Sequence, residues 1–121
     1  MVNISEETKK FQKEINGGTA SLVLLSVLDK SLQPMYGYQI AKLIDLSAGD
    51  IPIMKQGTLY PVLRSLESGG LLESEVEPSV SGPPRRYYRI TDYGRENLQT
   101  WRGIWAQTKT FVDGVLEGEG R

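Results

Sequence analysis

Residues 57–72 read GTLYPVLRSLESGGLL. Leu59, Val62, Leu63 and Leu66 recur at the spacing of one helix face. Pro61 stands among them, although a proline in a helix interior costs about 3 kcal/mol or more. If Thr58 caps the helix, Pro61 falls at its third position, where the backbone N–H has no intrahelical partner in any case. The proline then lies near an edge and does not break the helix, while Tyr60 before it is biased towards extended backbone. Ser68-Gly69-Gly70 closes the segment.

The other side of this helix is the informative one. At about 100° per residue, Gly57, Pro61, Arg64, Ser65 and Ser68 gather opposite the leucines, with Tyr60 and Glu67 at the flank. That face has little bulk near its N-terminal end and one cation at its middle. Such a face can lie close against another molecule. A helix N-terminus favours phosphate, and an α-helix fits the major groove of DNA. The plainer alternative is a solvated face.

Upstream, YGYQIAKLIDL (36–46) forms a second helix, with Ile40, Leu43 and Ile44 inward and Gln39 and Lys42 outward. Ser47-Ala48-Gly49 ends it, and a loop containing Pro52 follows. TASLVLLSVL (19–28) is apolar nearly all round and belongs at the centre of the core. Before it, Ser5 is an N-cap for a polar helical stretch carrying Phe11 and Ile15, which Asn16-Gly17-Gly18 weakens or breaks. Downstream, LLESEV (71–76) and RRYYRI (85–90) alternate like two strands, with EPSVSGPP (77–84) as a flexible, protruding tip. A long helix from Thr91, its cap, to Leu116 completes the chain. Three helices, a hairpin and a helix make an α+β, mostly α fold, a winged helix-turn-helix with a long C-terminal helix. The expected division is a helical extension over 1–18, a winged helix-turn-helix DNA-binding domain over 19–91 and a dimerisation helix over 92–121.

Composition narrows the chemistry. A chain of 121 residues is most simply one folded unit. It has no cysteine and no histidine, which rules out disulfides, a Ser-His-Asp triad, a Cys-His pair and the usual zinc sites. No isolated acidic pair stands out for a carboxylate-only enzyme, so no catalysis, cofactor or metal is expected. No run approaches the roughly 18 apolar residues of a membrane span, and the first residues are too polar for a secretory signal. A soluble cytoplasmic protein is expected. The net charge of −1 means that any affinity for nucleic acid must come from local basic clusters.

MYGYQIAKLI (35–44), GTLYPVLRSLESGGLL and RRYYRITDYGRENL (85–98), in that order, closely resemble the PadR family of bacterial and archaeal winged-helix transcriptional regulators. The similarity runs from about Leu22 to Leu98. The resemblance implies a homodimeric repressor on a palindromic operator in double-stranded DNA, its own promoter region or that of a stress or efflux gene. Two features depart from it: an extra polar N-terminal segment with Lys9, Lys10 and Lys13, and the weak overall basicity.

In a winged helix the recognition helix reads bases and the wing grips the backbone or the minor groove. Gln56, Thr58, Tyr60 and Arg64 are then expected in the major groove, with Arg suited to guanine and Gln to adenine. Lys55 precedes the helix and would meet phosphate; Tyr38 and Gln39 are expected at the backbone, and Tyr36 to be structural. Arg85 and Arg86 stand at the wing behind Pro83-Pro84, placed for phosphate or minor-groove contact. The alternative is a pair of solvated cations balancing Glu73, Glu75 and Glu77. Tyr87 and Tyr88 alternate across the strand, and at least one should pack on the core.

Leu98, Trp101, Trp105, Thr108, Val112 and Val115 follow one another in steps of 3, 4, 3, 4 and 3, a heptad seam that Ile104 and Phe111 widen. So small a domain can cover only the first turns, and the rest should bury against a second chain in a two-fold homodimer. Phe11 and Ile15 are placed to help. Some short PadR members that sense aromatic compounds have a tryptophan at the place of Trp105 that faces a pore at the dimer centre. The resemblance thus implies a flat aromatic effector stacked at Trp105, against the alternative that both tryptophans are dimer core. The rival function is a winged helix that binds a partner protein without specific DNA binding. Near-neutral charge favours that rival, while the Arg85-Arg86 wing and the family motifs favour DNA.

Overall fold

The Ser5 hydroxyl accepts the Thr8 N–H at 3.1 Å and starts the first helix, α1 (Glu6–Lys30). The computed structural model describes residues 5–48 and 56–118. α1 runs unbroken through Gly17 and Gly18, so Asn16-Gly17-Gly18 does not split it and the boundary expected at residue 18 lies inside one helix. Each glycine costs a helix about 0.5–1 kcal/mol, but burial of Ala20, Leu24, Leu25 and Leu28 holds the second half. The Thr19 hydroxyl, donating to the Ile15 carbonyl at 2.9 Å, bridges the glycine pair.

Met35–Tyr36 forms a short strand, β1, that sequence periodicity did not reveal. It leads into α2 (Gly37–Ala48), which buries Ile40 and Ile44. Leu43, expected inward, is exposed. The buried stripe turns instead towards Ala41, which packs on the core, and leaves Leu43 on the outer shoulder.

α3 (Gln56–Ser68) begins two residues before Thr58, so Thr58 is not its cap and Pro61 lies more than a full turn inside. The bond that the proline cannot donate is the one to the carbonyl of residue 57. Burial of Leu59, Leu63 and Leu66 offsets that loss. The helix ends in a Schellman turn. Gly70 takes a left-handed φ of 82° and donates to the Glu67 carbonyl at 2.9 Å, while Leu71 N–H reaches the Leu66 carbonyl at 2.9 Å.

β2 (Leu72–Ser79) and β3 (Gly82–Ile90) pair antiparallel, and β1 joins the other edge of β3 to give the order β1-β3-β2. The strands extend to Ser79 and Gly82, so the expected long tip shrinks to Val80-Ser81. The prolines explain why the sequence looked like a loop. Pro78, Pro83 and Pro84 all fall in the register shift between the Glu77–Arg85 and Ser79–Gly82 pairs, where a missing donor breaks no ladder bond.

α4 (Asp92–Leu116) is capped by Thr91, whose hydroxyl oxygen accepts the Gly94 N–H at 2.9 Å. Gly94 is a close-approach residue. A methyl group there would lie far inside contact distance of the Leu71 carbonyl oxygen and 2.7 Å from Ile90 Cγ1. Asp29 of α1 ties α4 down, at 3.2 Å from Arg95 and 3.8 Å from Arg102. The core gathers Leu24, Leu25, Leu28, Ile40, Ile44, Leu59, Leu63, Leu66, Leu72, Tyr88, Ile90 and Leu98. Leu98, expected in an inter-chain seam, is fully buried in its own chain because α1 packs along α4 and brings it into the core. No helix among the described residues is long and apolar enough to cross a membrane.

Candidate nucleic-acid interface

α3 and the wing face each other across an open cleft of about 640 Å³. Tyr60, Arg64, Glu67 and Ser68 of α3 form one wall, Pro84, Arg85, Arg86 and Tyr88 of β3 the other, and Tyr36 and Gly37 one end. Alternation puts the side chains there. On α3 the leucines take the inner face, which leaves Arg64 outside and Tyr60 and Glu67 towards the wing. On β3, Arg86, Tyr88 and Ile90 share the face that meets the core, and Arg85, Tyr87 and Arg89 share the opposite one.

The carboxylates of β2 do not absorb the two wing arginines. Glu73 is taken by Arg89 at 2.7 Å. Arg85 instead lies over the ring of Tyr36, 4.5 Å from its centroid. Tyr36 in turn stacks on Tyr38 at 6.5 Å and meets the edge of Tyr87 at 5.4 Å, and Lys42 caps the row 5.6 Å above Tyr38. An exposed cation–π contact is worth about 0.5–1 kcal/mol. It uses the face of the guanidinium and leaves the edge donors free for a phosphate. Arg86 donates to the Ser74 hydroxyl at 2.9 Å. Among the described residues Arg64, Arg85 and Arg86 make no ion pair.

Of the residues expected to meet DNA, the fold brings Tyr60, Arg64, Arg85 and Arg86 to one cleft. Thr58 is exposed on the same helix. Tyr38 and Gln39 are exposed on the first turn of α2, but Gln39 also has a structural duty: its Oε1 accepts the Tyr36 N–H at 3.0 Å and caps α2. Lys55 and the side chain of Gln56 lie outside the described residues. Tyr60 packs over Gly37, where a Cβ would come within 2.5 Å of its ring. Two partners were not anticipated, Glu67 on the wall of the cleft and Ser74, which it meets in a hydrogen bond of 2.6 Å. Neither stands out in sequence, since the bond links a helix end to a strand through the fold. Tyr88 lies beneath them; burial raises its phenol pKa above the ordinary value, Glu67 adds to the shift, and Arg86 and Arg64 oppose it.

Beyond Trp101, which packs on the core, α4 leaves a long apolar stripe uncovered. Ile104, Trp105, Phe111, Val112, Val115 and Leu116 are all exposed, as are Thr108 and, on α1, Phe11 and Ile15.

A helix-turn-helix with a basic β-hairpin beside its last helix defines a winged-helix protein. Residues 24–100 match the transcriptional regulator PadR-like family. The chain belongs to that family, whose members are transcriptional regulators rather than enzymes. It is 33% identical to an uncharacterised protein of Lysinibacillus sphaericus over 86% of this chain and 93% of the other. A PadR family transcriptional regulator from Eggerthella lenta is 37% identical with a TM-score of 0.76, covering 90% of this chain and 91% of that one. A transcriptional regulator from Clostridium thermocellum is 28% identical with a TM-score of 0.74, covering 83% and 95%.

Proposed function

We propose that this PadR-family regulator is a repressor that binds a palindromic operator in double-stranded DNA as a homodimer. The observation that carries the reading is the cleft lined by Arg64, Arg85 and Arg86, none of which makes an ion pair among the described residues. α3 enters the major groove, where Tyr60, Thr58, Gln56 and Arg64 face base edges. Arg85 and Arg86 grip phosphate, with Lys55, Tyr38 and Gln39 at the flanking backbone. Residues 19–91 serve as the DNA-binding unit and the segment 92–121, through α4, as the dimerisation element. The near-neutral net charge does not oppose this, because affinity follows the local field.

The exposed stripe of α4 supports a partner helix. A second copy on a two-fold axis covers Ile104, Thr108, Phe111, Val112 and Val115 and gives the paired recognition helices that a palindrome requires. Trp101 joins the edge of that interface, and Trp105 carries the effector reading. Trp105 is 45% exposed one turn beyond half-buried Trp101, so a flat aromatic compound can stack on it.

Fluorescence anisotropy with operator and random duplex over a range of salt tests the reading. Arg85→Ala and Arg86→Ala should weaken binding to both and lower the salt slope by about one each. Arg64→Ala should cost about 1–3 kcal/mol on the operator and less on random DNA. Binding that ignores salt, or no binding to DNA carrying the protein's own upstream region, would instead favour a protein-interaction module.

A further inference from the structure

Glu67 is a half-buried anion in the last turn of α3, on the wall of the arginine-lined cleft. Two general forces oppose it there. The C-terminal end of a helix is the negative end of its dipole, and a phosphate in the cleft repels a carboxylate.

Its hydrogen bonds give it a purpose. The Ser74 hydroxyl donates to Glu67 Oε2 at 2.6 Å, and Ser74 Oγ in turn accepts from Arg86 Nη1 at 2.9 Å. A hydroxyl has one proton to give and lone pairs to spare. Donation to the carboxylate fixes its rotor and turns those lone pairs towards Arg86. The chain of bonds starts on the recognition helix, crosses β2 and ends on β3, so it ties the wing to α3. It occupies one N–H of a guanidinium that has five, leaving the rest for phosphate.

We propose that Glu67 is a positioning residue for DNA binding: through Ser74 it holds Arg86 at the rim of the cleft in the orientation that meets phosphate. The proposal rests on the DNA-binding reading above, and it inverts the simple electrostatic expectation. Removing an anion beside DNA should strengthen binding if charge alone acts, whereas loss of the positioning weakens it.

Glu67→Leu, which has no acceptor for the Ser74 hydroxyl, and Ser74→Ala, titrated with a random-sequence duplex over a range of salt, should each bind several-fold more weakly than the parent. The salt slope should fall by up to about 0.9, the share of one phosphate contact. Ser74→Thr, which keeps the hydroxyl, should bind like the parent, and Glu67→Leu should add no further loss to Arg86→Ala. In the DNA-free protein, the Arg86 side-chain N–H signal in NMR should become mobile in Glu67→Leu. The proposal is overturned if Glu67→Leu binds as tightly as the parent or tighter with an unchanged slope, or if its loss persists in the Arg86→Ala background. A parent protein without salt-dependent DNA binding sinks the DNA reading itself. In that event an unchanged Arg86 signal in Glu67→Leu overturns the hydrogen-bonded linkage as well, and a mobile one overturns the DNA role while the linkage stands.

Discussion

Replacing Gly94 by alanine adds one methyl group where the fold has no room. That methyl would collide with the Leu71 carbonyl oxygen and stand 2.7 Å from Ile90 Cγ1. One neighbour is backbone, so no rotamer change relieves it. Overpacking of this kind costs about 1–3 kcal/mol. Pushing α4 away also strains the Thr91 cap, which accepts from Gly94 itself, and a lost cap costs about 1 kcal/mol. A total of about 2–4 kcal/mol is a large part of the roughly 5–15 kcal/mol that holds a domain together. In urea, with a slope of about 2 kcal/mol per molar, the midpoint should fall by about 1–2 M. Gly103→Ala in the same helix is the control. Nothing lies within 4 Å of its added methyl, and its heptad position points away from the seam. The helix there should gain about 0.5–1 kcal/mol from the lost glycine entropy. Both variants are compared with the parent at one protein concentration, because association would shift the midpoint. A Gly94→Ala protein as stable as the parent, or two alanine variants that move together, would refute the close approach of α4 to Leu71.

Val112→Lys and Val115→Lys together should give a folded monomer in sedimentation, since both side chains are exposed within the chain; a dimer after both changes removes the α4 interface. A planar aromatic compound should quench tryptophan fluorescence in a saturable way, and Trp105→Ala should abolish most of that signal while light scattering still reports a dimer. Quenching that survives in Trp105→Ala removes the effector site from that residue. Tyr88 gives a pH dependence: its phenol pKa is raised in the fold above the ordinary 10.0, so its contribution is complete below pH 10.0 and lost as pH climbs through the folded-state value. Denaturation midpoints should fall above that pH in the parent and fall less in Tyr88→Phe.

Much of the fold was legible because local chemistry and tertiary burial agree. Leu59, Leu63 and Leu66 needed only helical spacing to be placed, and Thr91 needed only a threonine before Asp92 and a change of period. The failures lie where a distant partner decides. Met35-Tyr36 is a strand only because Tyr87 and Tyr88 pair with it. Two glycines in a row look like a break, and the buried second half of α1 overrides them. Three prolines look like a loop until the register shift gives them positions without a donor to lose. In the cleft, Arg64, Arg85 and Arg86 were recognisable by charge and motif. The Arg85–Tyr36 stack, the Gln39 cap and the Glu67–Ser74–Arg86 chain join residues whose proximity no spacing encodes.

One backbone segment joins three elements of this molecule. The Leu71 carbonyl accepts from the Thr91 N–H and from the Thr91 hydroxyl, both at 3.1 Å, while Gly70 and Leu71 close the end of α3. α3, the foot of the wing and the root of α4 therefore meet at one hydrogen-bonded joint. At 25 residues α4 is about 37 Å long, a lever fixed at one end. A swing of about 5° at its root carries the far tip about 3 Å, close to the axial rise of one base pair. In the proposed dimer, an input at the α4 seam would leave each half's reading head intact and change the spacing and angle between the two heads. Such a device behaves like a pair of calipers, and its operator would be discriminated by gauge.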